Sequence, residues 1–77
     1  MASKLTFRYD KVGDILYVDK CAPYKEQESD ELGDEVAVRL NPTTGDVENI
    51  EILFFSKRLA ADECIELPLS ASLHVID

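Results

Sequence analysis

The sequence predicts a small α+β protein with a mainly antiparallel sheet of four to five strands, built from two hairpins. Two stretches alternate apolar with polar residues, LTFRYDKVGDILYV and VAVRLNPTTGDVENIEI, and a turn containing Gly and Asp interrupts each of them. A two-residue period is typical of a strand with one buried face, and a glycine in the turn helps the chain to reverse. The segment KRLAADE, which follows the second hairpin, predicts one short helix.

The first hairpin begins with a strand in which Leu5, Phe7 and Tyr9 alternate with polar residues. Its returning strand, residues 15–18, is apolar at all positions, which favours a central place in the sheet or cover on both faces. Across this hairpin we expect Tyr9 and Tyr17 to face each other as a packing pair.

The turn of the first hairpin is DKVGD. We expect Gly13 to adopt the left-handed conformation there, because glycine has no Cβ to oppose it. Asp10 and Asp14 are expected to accept hydrogen bonds from nearby backbone amides, a structural role that we prefer to calcium ligation because a calcium loop needs more oxygen ligands at set intervals.

The second hairpin is the clearest local pattern of the chain. A strand over residues 36–40 leads into NPTTGD, where Gly45 suits the left-handed position of a bulged hairpin, and a strand returns over about 47–53. Ser56 then stands where a helix cap is expected, and the helix should run from about Lys57 to Glu63.

Acidic residues are concentrated between the two hairpins. Residues 19–35 contain seven acids and two lysines, a net charge of -5 out of the -8 of the whole chain. We interpret the stretch either as an exposed connection or as a charged edge strand, since such edges discourage unwanted pairing. As candidate interaction residues we select Glu26, Glu28, Asp30 and Glu31.

The C-terminal extension, residues 64–76, has a strand pattern. Apolar residues occupy every second position: Ile65, Leu67, Leu69, Ala71, Leu73 and Val75. Pro68 has no amide hydrogen for a ladder, which predicts an edge strand or an interruption. We expect the extension either to cover the open face of the sheet or to pair with another subunit, with Leu67, Leu69 and Leu73 as candidate contacts.

Length, charge and composition narrow the range of partners and locations that we expect for the chain. The 77 residues make one domain, 1–77, and a chain of this size buries little surface, so we expect a homo-oligomer, a dimer or larger. The charge of -8 disfavours direct binding of nucleic acid or an anionic membrane and suits a basic protein partner. The chain lacks an apolar run long enough to cross a membrane and a secretion signal at its N-terminus, which predicts a cytoplasmic protein.

The residues show no pattern for catalysis or cofactor binding. Cys21 and Cys64 have no CxxC spacing, His74 is the single histidine, and the three glycines stand apart, so the sequence predicts no catalytic residue, no metal site and no cofactor.

In order, YDKVGDILYV, the acidic connection, GDVENIEIL and SKRL resemble the family of small bacterial proteins known as domain of unknown function 2283. The resemblance covers residues 5–59 and implies a small antiparallel sheet followed by a helix, with no established activity. Some members resemble the smaller partner of two-gene toxin and antitoxin pairs. The tail from Ala60 onward departs from the usual short ending of the family, which leaves any assembly implied by the resemblance open.

Two functional hypotheses follow. The first is a non-enzymatic interaction module that self-associates and binds a basic protein, in the manner of an antitoxin. The alternative is a small-ligand binder or enzyme with a site formed across a subunit interface, where Asp10, Asp14 and Tyr17 of neighbouring copies converge.

Overall fold

The computed structural model describes residues 4–33 and 35–76. It contains five strands and one helix: β1 Thr6–Asp10, β2 Ile15–Asp19, β3 Glu28–Glu31, β4 Val36–Leu40, β5 Val47–Leu53 and α1 Phe55–Asp62. The strands form one sheet in the order β1-β2-β5-β4-β3, and every pair is antiparallel. The predicted α+β class, the two hairpins and the helix after the sheet are therefore confirmed.

The sheet has an apolar face and a polar face, since residues paired across neighbouring strands project to the same side. One row of partners runs Tyr9, Leu16, Ile52, Val36, and the next runs Phe7, Val18, Ile50, Val38. We call this side the apolar face. The core lies there, where β4 meets β5: Val36, Val38 and Ile52 are the buried apolar residues of the described chain.

The turn of the first hairpin differs from the prediction. The left-handed residue is Asp14, with φ of 56°, and not Gly13. Gly13 instead leaves room for the Asp10 carboxylate: a Cβ at position 13 would lie 2.9 Å from Asp10 Oδ2, so a larger residue would require this side chain to shift. Asp10 does bind the turn as expected, because its Oδ1 accepts hydrogen bonds from the Val12 and Gly13 amides.

The two tyrosines of the first hairpin do not face each other. Asp10 pairs with Ile15, and this register places Tyr9 opposite Leu16, with Arg8 opposite Tyr17. Tyr9 therefore lies on the apolar face and Tyr17 on the polar one, so the predicted Tyr9–Tyr17 pair is wrong. In its place the Arg8 guanidinium lies 4.0 Å from the centre of the Tyr17 ring, a cation–π contact.

The second hairpin is built as predicted. Gly45 has φ of 78° and its amide donates to the Asn41 carbonyl oxygen at 2.9 Å. The register shifts between Arg39 and Leu40, where a bulge lets Leu40 pair with Val47.

The C-terminal extension forms no strand. Residues 64–76 lie outside every helix and strand of the structure, so an intrachain strand there is not observed. Pro68 explains part of this: it lacks an amide hydrogen, and around it the Leu69 amide donates to the Leu67 carbonyl oxygen at 2.8 Å, a tight local turn.

Candidate functional site

The acidic connection contains an edge strand. Residues 28–31 form β3, which pairs with β4 on one side and has no strand partner on the other among the described residues. All four residues of β3 are exposed, and Glu26 just before it is exposed as well. Of the two interpretations of this stretch, the charged edge strand applies to residues 28–31. Four sequence-predicted residues lie together here: Glu26, Glu28, Asp30 and Glu31.

Two carboxylates of β3 project toward the apolar side of the sheet. Glu28 pairs with Leu40 and Asp30 pairs with Val38, so both follow the row that contains the core. An inward-pointing charge at a sheet edge opposes the addition of an apolar strand, because the carboxylate would lose its water. In the described residues the single ion pair joins Arg39 Nε and Glu51 Oε1 at 3.9 Å, so no described cation neutralises β3 through an ion pair.

The opposite edge, β1, is apolar on the same face. Leu5, Phe7 and Tyr9 are 40%, 64% and 41% exposed. β1 pairs with β2 and with no second strand in the described part of the chain. The backbone groups of one side of β1 are thus open, next to a row of exposed apolar side chains.

The three apolar residues predicted in the extension differ in exposure. Leu67 and Leu69 are half-buried, whereas Leu73 is 77% exposed. Val75, which the prediction did not select, is 95% exposed. The extension therefore has a partly covered first half and an uncovered second half, and the structure does not bring these residues next to the acidic edge strand through any pairing.

Asp14 is the centre of a polar cluster that fixes the helix to the first hairpin. Its Oδ1 accepts hydrogen bonds from Tyr9 Oη at 2.6 Å and from the Ser56 amide at 3.0 Å, and its Oδ2 accepts one from Ser56 Oγ at 2.9 Å. The Asp14 carbonyl oxygen accepts from the Phe55 amide at 3.0 Å. Asp14 thus satisfies the first amides of α1, which an N-cap side chain would otherwise do.

Because Asp14 caps the helix from a distant position, the bounds of the helix differ from the predicted ones. α1 begins at Phe55, two residues before the predicted start, and ends at Asp62, one residue before the predicted end. Ser56 therefore lies inside its first turn. Phe54 occupies the N-cap position in a left-handed conformation without a side-chain hydrogen bond. The predicted Ser56 cap is therefore wrong. The bond from Tyr9, followed by the Ser56 amide, lowers the pKa of Asp14, and the same bond raises the pKa of Tyr9.

A second polar cluster holds the connection between β2 and β3 against β5. Tyr24 Oη donates to Glu48 Oε1 at 2.5 Å, and Gln27 Nε2 donates to the same oxygen at 3.1 Å and to Asn49 Oδ1 at 2.7 Å. Asn49 Nδ2 donates in turn to Asp19 Oδ1 and to the Cys21 carbonyl oxygen. Asn49 and Gln27 are the buried polar residues of the described chain.

Sequence reasoning missed this cluster. The residues that bond to each other in it are more than 20 positions apart in the sequence; Gln27 and Asn49, for example, are 22 positions apart. The bond to Glu48, with burial second, raises the pKa of Tyr24 to about 12, and the bonds from Tyr24 and Gln27 lower the pKa of Glu48. Burial, followed by the nearby Glu48 charge, raises the pKa of the Cys21 thiol. The polar groups of the cluster satisfy each other's hydrogen bonds, so we assign the cluster to stabilising the fold and not to binding a ligand.

The residues of the ligand-binding alternative do not form a site in one chain. Asp10 closes its own turn, Asp14 caps α1, and Tyr17 stacks against Arg8 on the polar face. Two open depressions of about 260 and 550 Å³ are present, the first lined by Thr6 and residues 19–22, the second between α1 and residues 64–66. Among the described residues, no group of three or more His, Cys, Asp or Glu side chains could hold a metal ion.

Helices long and apolar enough to span a membrane are not found in the described residues. Cys21, half-buried, and Cys64, exposed, are free thiols.

The structure defines a small acidic α+β protein in which polar clusters fix the loops and the helix, and in which the described residues leave two different sheet edges, β1 and β3, without a second strand partner. The family model described as protein of unknown function (DUF2283) matches residues 6–56, about two thirds of the chain. The chain belongs to this family. No curated protein and no solved structure matches it significantly.

Proposed function

We propose that this chain is a non-enzymatic interaction module that works as a homo-oligomer and binds a basic protein partner through its acidic edge. The observation that carries the proposal is the exposure of Phe7, 64%, on an open edge strand that continues the apolar face. Exposed apolar side chains next to an unpaired edge are the features by which sheets associate.

Burial supports self-association. Only Val36, Val38 and Ile52 are buried apolar residues in the described chain, which is a small core. The two cysteines are free thiols, and the described residues contain no group of side chains that could hold a metal ion. Small domains without covalent or metal reinforcement commonly gain the missing apolar contact from a second copy.

Charge supports a basic partner. The exposed carboxylates of residues 26–31 lie on one edge, and the whole chain has a net charge of -8. Such a surface attracts a basic protein and repels a phosphate backbone. An antitoxin-like role is one form of this activity. We also propose a cytoplasmic location, where free thiols such as Cys21 and Cys64 persist.

The test of self-association is the mass of the protein in solution, measured by gel filtration with light scattering over a wide concentration range. We expect a dimer or larger species, and we expect Phe7→Ser to weaken it. Val12→Ser is the matched control, because Val12 is fully exposed but lies in the turn, away from the edge. A wild-type protein that stays monomeric at every concentration would refute self-association.

The test of the basic partner is a pull-down from native extract. The bait with Glu28→Gln, Asp30→Asn and Glu31→Gln is compared with one carrying Asp62→Asn, Glu63→Gln and Glu66→Gln, which has the same net charge. We expect wild type and the second bait to retain a small basic protein that the first one loses. In the antitoxin-like form, a neighbouring gene encodes this protein, and co-expression relieves the growth defect that it causes. Equal retention by both baits would contradict a role for the β3 edge.

A further inference from the structure

The second half of the C-terminal extension has the sequence of a strand, and it pairs with no strand among residues 4–33 and 35–76. From Leu69 onward, apolar residues alternate with Ser70, Ser72 and His74, and no proline interrupts the run. Residues 70–76 are exposed, with Val75 at 95%. A strand-forming segment that stays unpaired exposes its apolar side chains and its backbone groups to water.

One edge of the sheet matches this segment. β1 is exposed at four of its five residues, and in the described part of the chain its one neighbouring strand is β2. Phe7 and Tyr9 lie on its apolar face, while Thr6 and Arg8 lie on its polar face. A strand added beside β1 would place its alternate apolar residues next to Phe7 and Tyr9, and its serines next to Thr6 and Arg8.

The other edge does not match. On β3 the same apolar residues would lie next to Glu28 and Asp30, whose carboxylates follow the apolar face. Residues 69–76 contain no Lys or Arg that would compensate those charges. The loss of water from two unpaired carboxylates makes this pairing unfavourable.

We propose that residues 69–76 of one copy add as an edge strand to β1 of a second copy. This inference rests on the proposed self-association and specifies the segment and the edge that produce it. The six-strand sheet that results extends the apolar face beyond Phe7 and covers Leu73 and Val75. Because each copy has one extension and one β1 edge, two copies can exchange their extensions and close as a symmetric dimer.

The experiment compares three single substitutions in the full chain. Leu73→Glu places a charge on the apolar side of the added strand, and Ser72→Glu places the same charge on its polar side. Ala71→Pro removes one amide donor from the segment. Leu73 and Ser72 lie in the exposed part of the extension, so none of the changes should unfold the monomer, which circular dichroism and thermal melting check.

We expect Leu73→Glu to raise the dimer dissociation constant about a hundred- to ten-thousandfold, the equivalent of one buried leucine side chain in each of the two copies. Ala71→Pro should also weaken the dimer, and Ser72→Glu should leave it close to wild type. If the wild type is a dimer and neither Leu73→Glu nor Ala71→Pro changes its dissociation constant, the inference is wrong while self-association stands. A monomeric wild type refutes both, and equal weakening by Leu73→Glu and Ser72→Glu refutes strand addition in favour of a charge effect.

Discussion

The two halves of the sheet differ in how much of their apolar surface is buried within a single chain. The half formed by β3, β4 and β5 contains every buried apolar residue of the described chain and the buried Asn49–Gln27 pair. In the other half, β1 is exposed at four of five positions and β2 is half-buried throughout. The apolar residues at the centre of the first half are buried within the chain, whereas β1 of the second half exposes apolar side chains at the edge of the sheet. This contrast is the reason why we propose β1 as the surface for self-association.

Matched truncations provide the largest test of this contrast. Ile52, 5% exposed on β5, and Phe7, 64% exposed on β1, lie on the same face of the sheet. We expect Ile52→Ala to reduce the free energy of unfolding by about 2 to 5 kcal/mol, because it leaves a cavity in the core. Phe7→Ala should cost the monomer less than about 1 kcal/mol, since little packing is lost at an exposed position. Urea unfolding at low protein concentration measures both.

Protein concentration sharpens the comparison. The cost of Phe7→Ala should grow as the concentration rises and the dimer forms, whereas the cost of Ile52→Ala in the same series should change much less. A Phe7→Ala cost that is large at every concentration would mean that β1 is already packed within one chain.

A smaller effect is expected from the polar cluster beside the half of the sheet that contains the core. Asn49→Ala removes the acceptor of Gln27 Nε2 and the donor to Asp19 and the Cys21 carbonyl oxygen. The partners that remain buried lose their bonds, which should cost about 1 to 3 kcal/mol. Asn49→Asp is the isosteric control: it retains the acceptor but not the donor, and it adds a charge beside Asp19, so it should not restore stability.

Hydrogen exchange gives this prediction a local readout. The Lys20 amide donates to the Glu48 carbonyl oxygen at 2.8 Å, at the base of the connection that Asn49 holds. We expect Asn49→Ala to increase its exchange more than that of β1 amides. Uniform changes along the chain would show that Asn49 acts on global stability alone.

The sequence was sufficient for the elements whose signals are local. Alternation predicted β1, β4 and β5, the apolar run of residues 15–18 predicted β2, and the Gly45 turn predicted the bulged hairpin that the structure contains. The acidic stretch was correctly considered as a charged edge, although its strand covers only residues 28–31. In these segments one face is apolar and the turn chemistry agrees with it, so local and global preferences coincide.

The features that sequence could not predict depend on distant contacts. The cap of α1 comes from Asp14, 42 positions before Ser56, and so the helix starts before the residue that a local rule selects. The Tyr9–Tyr17 prediction failed because the register, set by the turn, decides which face a residue takes. The candidate interaction residues were selected by charge and period, but it required the sheet order to show that residues 28–31 form the edge strand beside β4.

In each half of the sheet a carboxylate group accepts a hydrogen bond from a tyrosine: Asp14, which follows β1, from Tyr9 of β1, and Glu48 of β5 from Tyr24 of the connection between β2 and β3. Each bond raises the pKa of its tyrosine. The larger shift is that of Tyr24, whose pKa rises to about 12 beside the half of the sheet that contains the core. In the unfolded chain a tyrosine loses its proton near pH 10. Between about pH 10 and pH 12 the unfolded state therefore releases a proton that folded Tyr24 retains, and stability falls as pH rises through this range.

The last and smallest expected effect is the loss of this alkaline sensitivity. Tyr24→Phe should lower stability at neutral pH and flatten the decline between about pH 10 and pH 12, and Tyr9→Phe should flatten it less. At the acid side the sign is opposite: the pKa of Glu48 is lowered in the fold, so its contribution is complete above the ordinary range of a Glu and is lost as pH falls below it. Urea midpoints of the three proteins at neutral, alkaline and acid pH measure these differences. If both substitutions flattened the alkaline decline in stability equally, the two tyrosine–carboxylate bonds would be equally strong. The contrast between the two halves would then apply to apolar packing alone.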